Sequence, residues 1–291
     1  MAMRWPNRMR GALLIWLGLL AGGYAALLAY ISFTQESRIF FPRAMEQARA
    51  NEILRQLPDA RSVWLQSADG VKLHGWWRPA EPDKPSGRLL LYFGGNAEDV
   101  HWRLAASGPG RPENYPGWDI LLTDYRGYGL SGGVPGQTAL QADALLWFDT
   151  ASAGRIDGIA KPHSIAVMGT SLGSYYTTYL AAQRPVAGIV LVTPFDSVLD
   201  YVRSRLPLLP VKLLLRHPME SIRHAGQINA PSLFLVAAND ATIPPERARI
   251  LYEQWAGQPR DWVLLPQTNH DTISADPLYW EALRRFLRSL P

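Results

Sequence analysis

The stretch Val167-Met168-Gly169-Thr170-Ser171-Leu172-Gly173-Ser174 decides how the rest of the chain is read. An apolar, β-prone run, Ser164 to Met168, enters it, and a helix-compatible run, Leu172 to Gln183, leaves it. Gly-x-Ser-x-Gly therefore falls between a strand and a helix, where a sharp turn forces the central residue into a strained conformation. Side chains two before and two after it would collide unless they were hydrogen atoms, and Gly169 and Gly173 meet that demand. Such a turn lifts the Ser171 hydroxyl above the sheet edge. It also aims the Leu172 amide, at the new helix N-terminus, toward any oxygen bound beside it. An acyl-transfer nucleophile is presented in this way.

Outward from the turn, near-continuous apolar runs alternate with helix-like ones. Strands are expected at Arg61 to Leu65, Val71 to Arg78, Arg88 to Phe93, Trp118 to Thr123, Ser164 to Met168, Val186 to Val192, Ser232 to Ala237 and Trp262 to Leu265. Ser67-Ala68-Asp69-Gly70 supplies a hairpin turn between the first pair. Helices are expected at Ala44 to Gln56, Ala97 to Ser107, Thr138 to Ala153, Leu172 to Gln183, Pro244 to Trp255 and Pro277 to Leu290. Strands of this kind imply an α/β fold, a mostly parallel central sheet with helices on both faces and ligands at the strands' C-terminal ends. The alternation breaks at Asp196 to Gly226, an insertion carrying Leu206-Pro207-Leu208-Leu209-Pro210 and Leu213-Leu214-Leu215. Its leucines could line an acyl groove, face a bilayer, or pack under a small cap.

A serine hydroxyl needs a base to take its proton, and the base needs an acid to hold its tautomer. Loops after the strands that follow Ser171 supply both, in the order acid then histidine: Asp240 after Ser232 to Ala237, and His270 after Trp262 to Leu265. Asp196, which also ends a strand, is the rival acid, and an N-cap is the structural alternative for Asp240. His74, His101, His163, His217 and His224 lack such positions and read as surface or packing residues. Asp124 and Arg126 sit among turn-forming residues and read as shaping a loop. Gly127-Tyr128-Gly129-Leu130-Ser131-Gly132 satisfies the dinucleotide fingerprint literally. The helix that should open within its glycines is missing, since Gly133-Val134-Pro135-Gly136 intervenes.

With these motifs the chain resembles the α/β-hydrolases from Arg61 to its C-terminus. Leu91-Tyr92-Phe93-Gly94-Gly95-Asn96-Ala97, the run Thr123 to Gly132, and Ile39-Phe40-Phe41-Pro42 are similar to the branch of membrane-anchored lysophospholipases and protein depalmitoylases. The resemblance implies an oxyanion hole made by the amides of Asn96 and Leu172 and a lid over about 196–226. Many members of that branch have a histidine, which braces the loop, where this chain has Gly94. The activity implied is a serine hydrolase cleaving esters or thioesters of acyl, including lipid, substrates through Ser171, Asp240 and His270. A peptidase or amidase with the same triad and a non-hydrolytic binding scaffold are the alternatives. No cofactor or metal is expected, since neither H-E-x-x-H nor a P-loop occurs.

Gly11 to Phe33 is 23 residues without a charged side chain. A helix of that length reaches about 34 Å, enough to cross a hydrocarbon core of about 30 Å. Arg4, Arg8 and Arg10 precede it, so the positive-inside bias expects a cytoplasmic N-terminus and an extracytoplasmic remainder, periplasmic or extracellular. A cleaved signal peptide competes through Gly23-Tyr24-Ala25, but the apolar run outlasts the usual h-region. The expected organisation is an anchor over 1–33, a juxtamembrane segment over 34–60 and a catalytic domain over 61–291. Those three arginines account for most of the net charge of +4, leaving 26 of the 29 basic residues against all 25 acidic ones. A near-neutral body has no electrostatic footprint for nucleic acid. The chain has no cysteine, so disulfides and thiolate chemistry are excluded.

Overall fold

The computed structural model describes residues 7–82, 84–104 and 112–291. Its centre is an eight-stranded sheet in the order β1-β2-β4-β3-β5-β6-β7-β8. The strands are β1 Arg61–Gln66, β2 Lys72–Arg78, β3 Arg88–Phe93, β4 Asp119–Thr123, β5 Ser164–Thr170, β6 Ile189–Val192, β7 Ser232–Ala237 and β8 Arg260–Leu265. The first hairpin is antiparallel, and β2 also runs antiparallel to β4. From β4 to β8 every neighbour is parallel. All the parallel strands therefore end at one rim, and β5, β7 and β8 deliver their following loops there.

Successive residues of a strand face opposite sides of a sheet, so continuous apolar strands feed two cores at once. Leu89, Leu91, Val167, Leu191 and Phe234 belong to one. Against it pack α3 Gln137–Ser152, α4 Leu172–Gln183 and α8 Pro245–Glu253. Leu90, Tyr92, Met168, Val190 and Leu235 belong to the other, with α2 Gln47–Gln56 and α9 Pro277–Ser289. In α9 the buried residues Tyr279, Ala282, Leu283, Phe286 and Leu287 recur at three- and four-residue spacing, one stripe of an amphipathic helix. Asp276 caps it by accepting from the Leu278 amide, and Pro277 occupies the first turn, where no N–H is needed.

Three segments depart from the sequence reading. The helix expected at 97–107 is a short 3₁₀ stretch, Val100–Leu104, and 105–107 lie outside the described residues. Its start is diverted because Ala97 has φ 58° and the Glu98 carboxylate binds the Gly95 amide. The apolar helix α1, Asn7–Ile39, continues past Phe33 through the polar residues Thr34 to Arg38. The 196–226 insertion carries three short helices, α5 Val198–Arg205, α6 Val211–Leu214 and α7 Ile222–Ala225.

Candidate active site

At the end of β5 the backbone of Ser171 adopts φ 52°, ψ −115°, a region that costs a non-glycine residue about 1–3 kcal/mol. Its surroundings leave no alternative. A Cβ on Gly169 would lie 2.3 Å from the Gly173 carbonyl, and one on Gly173 would lie 2.1 Å from the Phe93 carbonyl. The Ser171 amide donates to the Val192 carbonyl of β6 at 2.8 Å, which ties the strained residue to the sheet. Ser171 is buried but opens into a cavity of about 720 Å³.

The loop after β7 brings Asp240 below that cavity. One carboxylate oxygen accepts from the amides of Thr242 and Ile243 at 2.9 and 2.8 Å, leaving the other for a single partner. That partner is His270, on the loop after β8, whose Nδ1 lies 2.7 Å from Asp240 Oδ2. Its Nε2 lies 3.0 Å from Ser171 Oγ. An ionised carboxylate only accepts, so Nδ1 carries the proton and Nε2 presents its lone pair to the hydroxyl. Asn239 stitches the two loops together: its amide donates to the Thr268 carbonyl at 3.0 Å and its side chain to the Pro266 carbonyl at 2.9 Å. Ser171, Asp240 and His270, from three separate loops, form one hydrogen-bonded line.

Asn96 and Leu172 line the same cavity as Ser171 and His270. Among the described residues, no acceptor within the chain takes the backbone N–H of either. A histidine at 94 has no room, because even a Cβ there would meet Val100 at 2.6 Å. The loop is braced by Glu98 instead. Its carboxylate accepts from the Gly95 amide at 2.5 Å, the Tyr92 hydroxyl at 2.8 Å, Trp102 Nε1 at 3.1 Å and Arg103 Nε at 2.9 Å. With its one proton given to Glu98, the Tyr92 hydroxyl accepts from Thr170 Oγ1 at 2.9 Å, next to Ser171. A second brace is the Asn96 side chain, which donates to the Ile39 carbonyl at 2.7 Å and accepts from the Phe41 amide at 2.9 Å and the Tyr128 hydroxyl at 2.7 Å. The loop is thereby tied to the segment that leaves α1. Sequence reading missed Glu98, Tyr92 and Tyr128: Ala97-Glu98-Asp99 looks like the acidic first turn of a helix, and the tyrosines look like core.

An uncharacterized protein of Mycobacterium tuberculosis is 33% identical over 267 residues, covering 90% of each chain. A protein of Arabidopsis thaliana named alpha/beta hydrolase domain-containing protein WAV2 is 30% identical over 297 residues, 93% of this chain and 91% of that one. The chain belongs to the α/β-hydrolase superfamily. No protein-family profile matches it. Among solved structures, the Pyrococcus furiosus esterase Pf2001 superposes with a TM-score of 0.65 at 17% identity, over 86% of this chain and 98% of that one, a likeness of fold. A Saccharomyces cerevisiae relative named as an uncharacterized membrane protein is 27% identical over 286 residues, 91% of this chain and 94% of that one. With the exposed apolar helix α1, it supports membrane association.

Within this α/β-hydrolase the remaining charged motifs hold structure. Asp196, the rival acid, is buried against Arg247, with 3.1 Å between Oδ1 and Nε, and its burial raises its carboxyl above the usual range. Asp124 is buried beside His74, with 2.6 Å from Oδ2 to Nδ1, while His74 Nε2 lies 2.5 Å from Ser62 Oγ. Desolvation raises the Asp124 carboxyl. This array repeats the order serine, histidine, acid, but His74 is wholly inaccessible, and it clasps β1, β2 and β4 together. A Cβ on Gly129 would meet the Asp124 carboxylate, which explains a glycine within the pseudo-fingerprint. Arg126 pairs with Asp143 and Asp69 and shapes its loop. Among the described residues no group of three His, Cys, Asp or Glu side chains is placed to hold a metal ion.

Proposed function

We propose that the protein is a membrane-bound serine hydrolase that cleaves ester or thioester bonds of acyl substrates. The reading is carried by one observation, the line of hydrogen bonds from Asp240 through His270 to Ser171 Oγ in an open, largely apolar cavity. Ser171 Oγ attacks the carbonyl carbon as its proton passes to His270 Nε2, and Asp240 stabilises the imidazolium. The carbonyl oxygen becomes an oxyanion received by the amides of Asn96 and Leu172, each donor contributing about 2.7–4 kcal/mol to the barrier reduction. As the oxyanion collapses, the C–O or C–S bond breaks and the leaving alcohol or thiol takes the proton from His270. Water then gives its proton to His270 and attacks the acyl-enzyme, releasing the acid and restoring Ser171.

Phe41, Leu172, Phe195, Val198, Met219 and Ile273 give the cavity an apolar wall suited to an acyl chain. Arg4, Arg8 and Arg10 ahead of the span favour a cytoplasmic N-terminus with the catalytic body outside. A fluorophosphonate probe is expected to label the full-length protein and not Ser171→Ala. Equal labelling of the two would overturn the assignment.

A further inference from the structure

We infer that the tip of the 196–226 insertion, residues 206–215, is a second membrane-embedded element lying beside α1 in the hydrocarbon of the leaflet next to the catalytic body. Two contacts set its depth. Gln35 near the end of α1 donates to the Leu214 carbonyl at 3.0 Å and accepts from the Arg216 amide at 2.7 Å. The Tyr24 hydroxyl donates to the Leu208 carbonyl at 3.1 Å. Tyr24 precedes Gln35 by about 16 Å of helix and Phe33 by about 13 Å. Leu208 therefore lies alongside the interior of the apolar run, not at its end, in a hydrocarbon core about 30 Å thick.

The side chains fit that medium, and most backbone N–H groups of the tip are paired or absent. Leu208 is 89% exposed and Leu213 85%, with Leu206 at 44%, and no residue in the apolar window of α1 is buried. In lipid, irregular backbone persists only when its polar groups find partners within the protein. Here Pro207 and Pro210 remove two N–H groups outright. Leu206, Leu209, Val211, Leu213 and Leu215 donate to the carbonyls of Val202, Leu206, Leu209, Pro210 and Val211. Tyr24 and Gln35 satisfy carbonyls that water would serve in a soluble loop. Lys212 is exposed on the same tip and has a four-carbon stem with which to reach the headgroups, and Arg205 stands at its base.

The other side of the same insertion, Val198, Tyr201 and Val202 on α5, walls the cavity that holds Ser171, together with Arg38, Ile39 and Phe41 from the end of α1. The embedded tip thus leads from the leaflet to the cavity. On the hydrolase reading proposed above, on which this consequence rests, an acyl chain reaches Ser171 laterally from the bilayer.

Because the chain has no cysteine, Leu208→Cys, Leu213→Cys and Val134→Cys each carry a single label. Val134 is 77% exposed and lies in the loop before α3, beside the polar Glu36 and Ser37 beyond the end of the apolar run of α1. Full-length protein bearing an environment-sensitive fluorophore at each position is placed in vesicles of phosphatidylcholine and phosphatidylglycerol. At 208 and 213 we expect a several-fold loss of quenching by aqueous iodide relative to 134, and strong quenching by lipids with a nitroxide on the acyl chain. Iodide access at either position equal to that at 134 would overturn the proposal. So would shielding from both quenchers, the mark of a protein partner or a second copy on this face. Fluorophosphonate labelling of the same samples reports separately on the hydrolase reading, so either can fail without the other.

Discussion

Glu98→Gln isolates the brace that the sequence motif lacks. The Glu98 carboxylate accepts from four groups, and its ion-pair partner Arg103 is buried, 4% exposed in its side chain. Glutamine keeps the volume but turns one acceptor into a donor, so the Gly95 amide or the Arg103 guanidinium must face another N–H. Breaking a buried ion pair from one side costs about 3–5 kcal/mol. The glutamine carbonyl retains part of the hydrogen bonding, so we expect the low end of that range in stability. Gly95 precedes the proposed oxyanion donor Asn96, and misplacing that amide forfeits most of a contribution worth about 2.7–4 kcal/mol. We therefore expect kcat to fall about 10²-fold with KM little changed, because the interaction forms in the transition state. Hydrolysis of a short p-nitrophenyl ester, normalised to active sites counted with fluorophosphonate, gives kcat, and chemical denaturation gives the stability. A stability loss with kcat intact would show that Glu98 holds the fold and not the oxyanion loop.

Three more outcomes follow from the geometry. Asp240→Asn retains an acceptor for the Thr242 and Ile243 amides but presents an N–H to His270 Nδ1, forcing the proton onto Nε2. We expect kcat to drop about 10⁴-fold with little change in melting temperature, and a loss below about tenfold would reassign the acid. Gly173→Ala drives a Cβ into the Phe93 and Gly94 carbonyls, so its denaturation midpoint should fall by more than the about 1–3 kcal/mol of ordinary overpacking; a wild-type midpoint would refute the close approach. His217 sits between Phe40 and the Gln137 amide, and burial, aided by Arg216 and opposed by Glu36, holds its imidazole below the ordinary range. Its folded pKa is thus below the unfolded value of about 6.5, so this stability is complete above that value and is lost as pH falls through it. Denaturation midpoints of wild type and His217→Asn should diverge less at pH 5 than at pH 8, and a constant difference would exclude the coupling.

Local chemistry in the sequence was enough to specify the strand-to-helix turn at Ser171. The glycines at 169 and 173 state a steric requirement that any reader of the chain can apply. Period and run length likewise determined most of the parallel sheet, the apolar span, and an order of acid then histidine on successive strand-end loops. These signals are legible because each depends on residues a few positions apart. Only the tertiary structure decided that Asp240, and not Asp196, touches His270, since both follow strands; Asp240 lies 2.7 Å from the imidazole, whereas Asp196 is ion-paired with Arg247. It alone converted Glu98 from a helix-opening acid into a loop brace, and His74 and Asp124 into a buried clasp. It also joined Asn96 to Ile39 and Leu208 to Tyr24, 57 and 184 positions apart. Contacts at such separations leave no period in the sequence, because they are set by where the sheet's rim and the end of α1 meet in space.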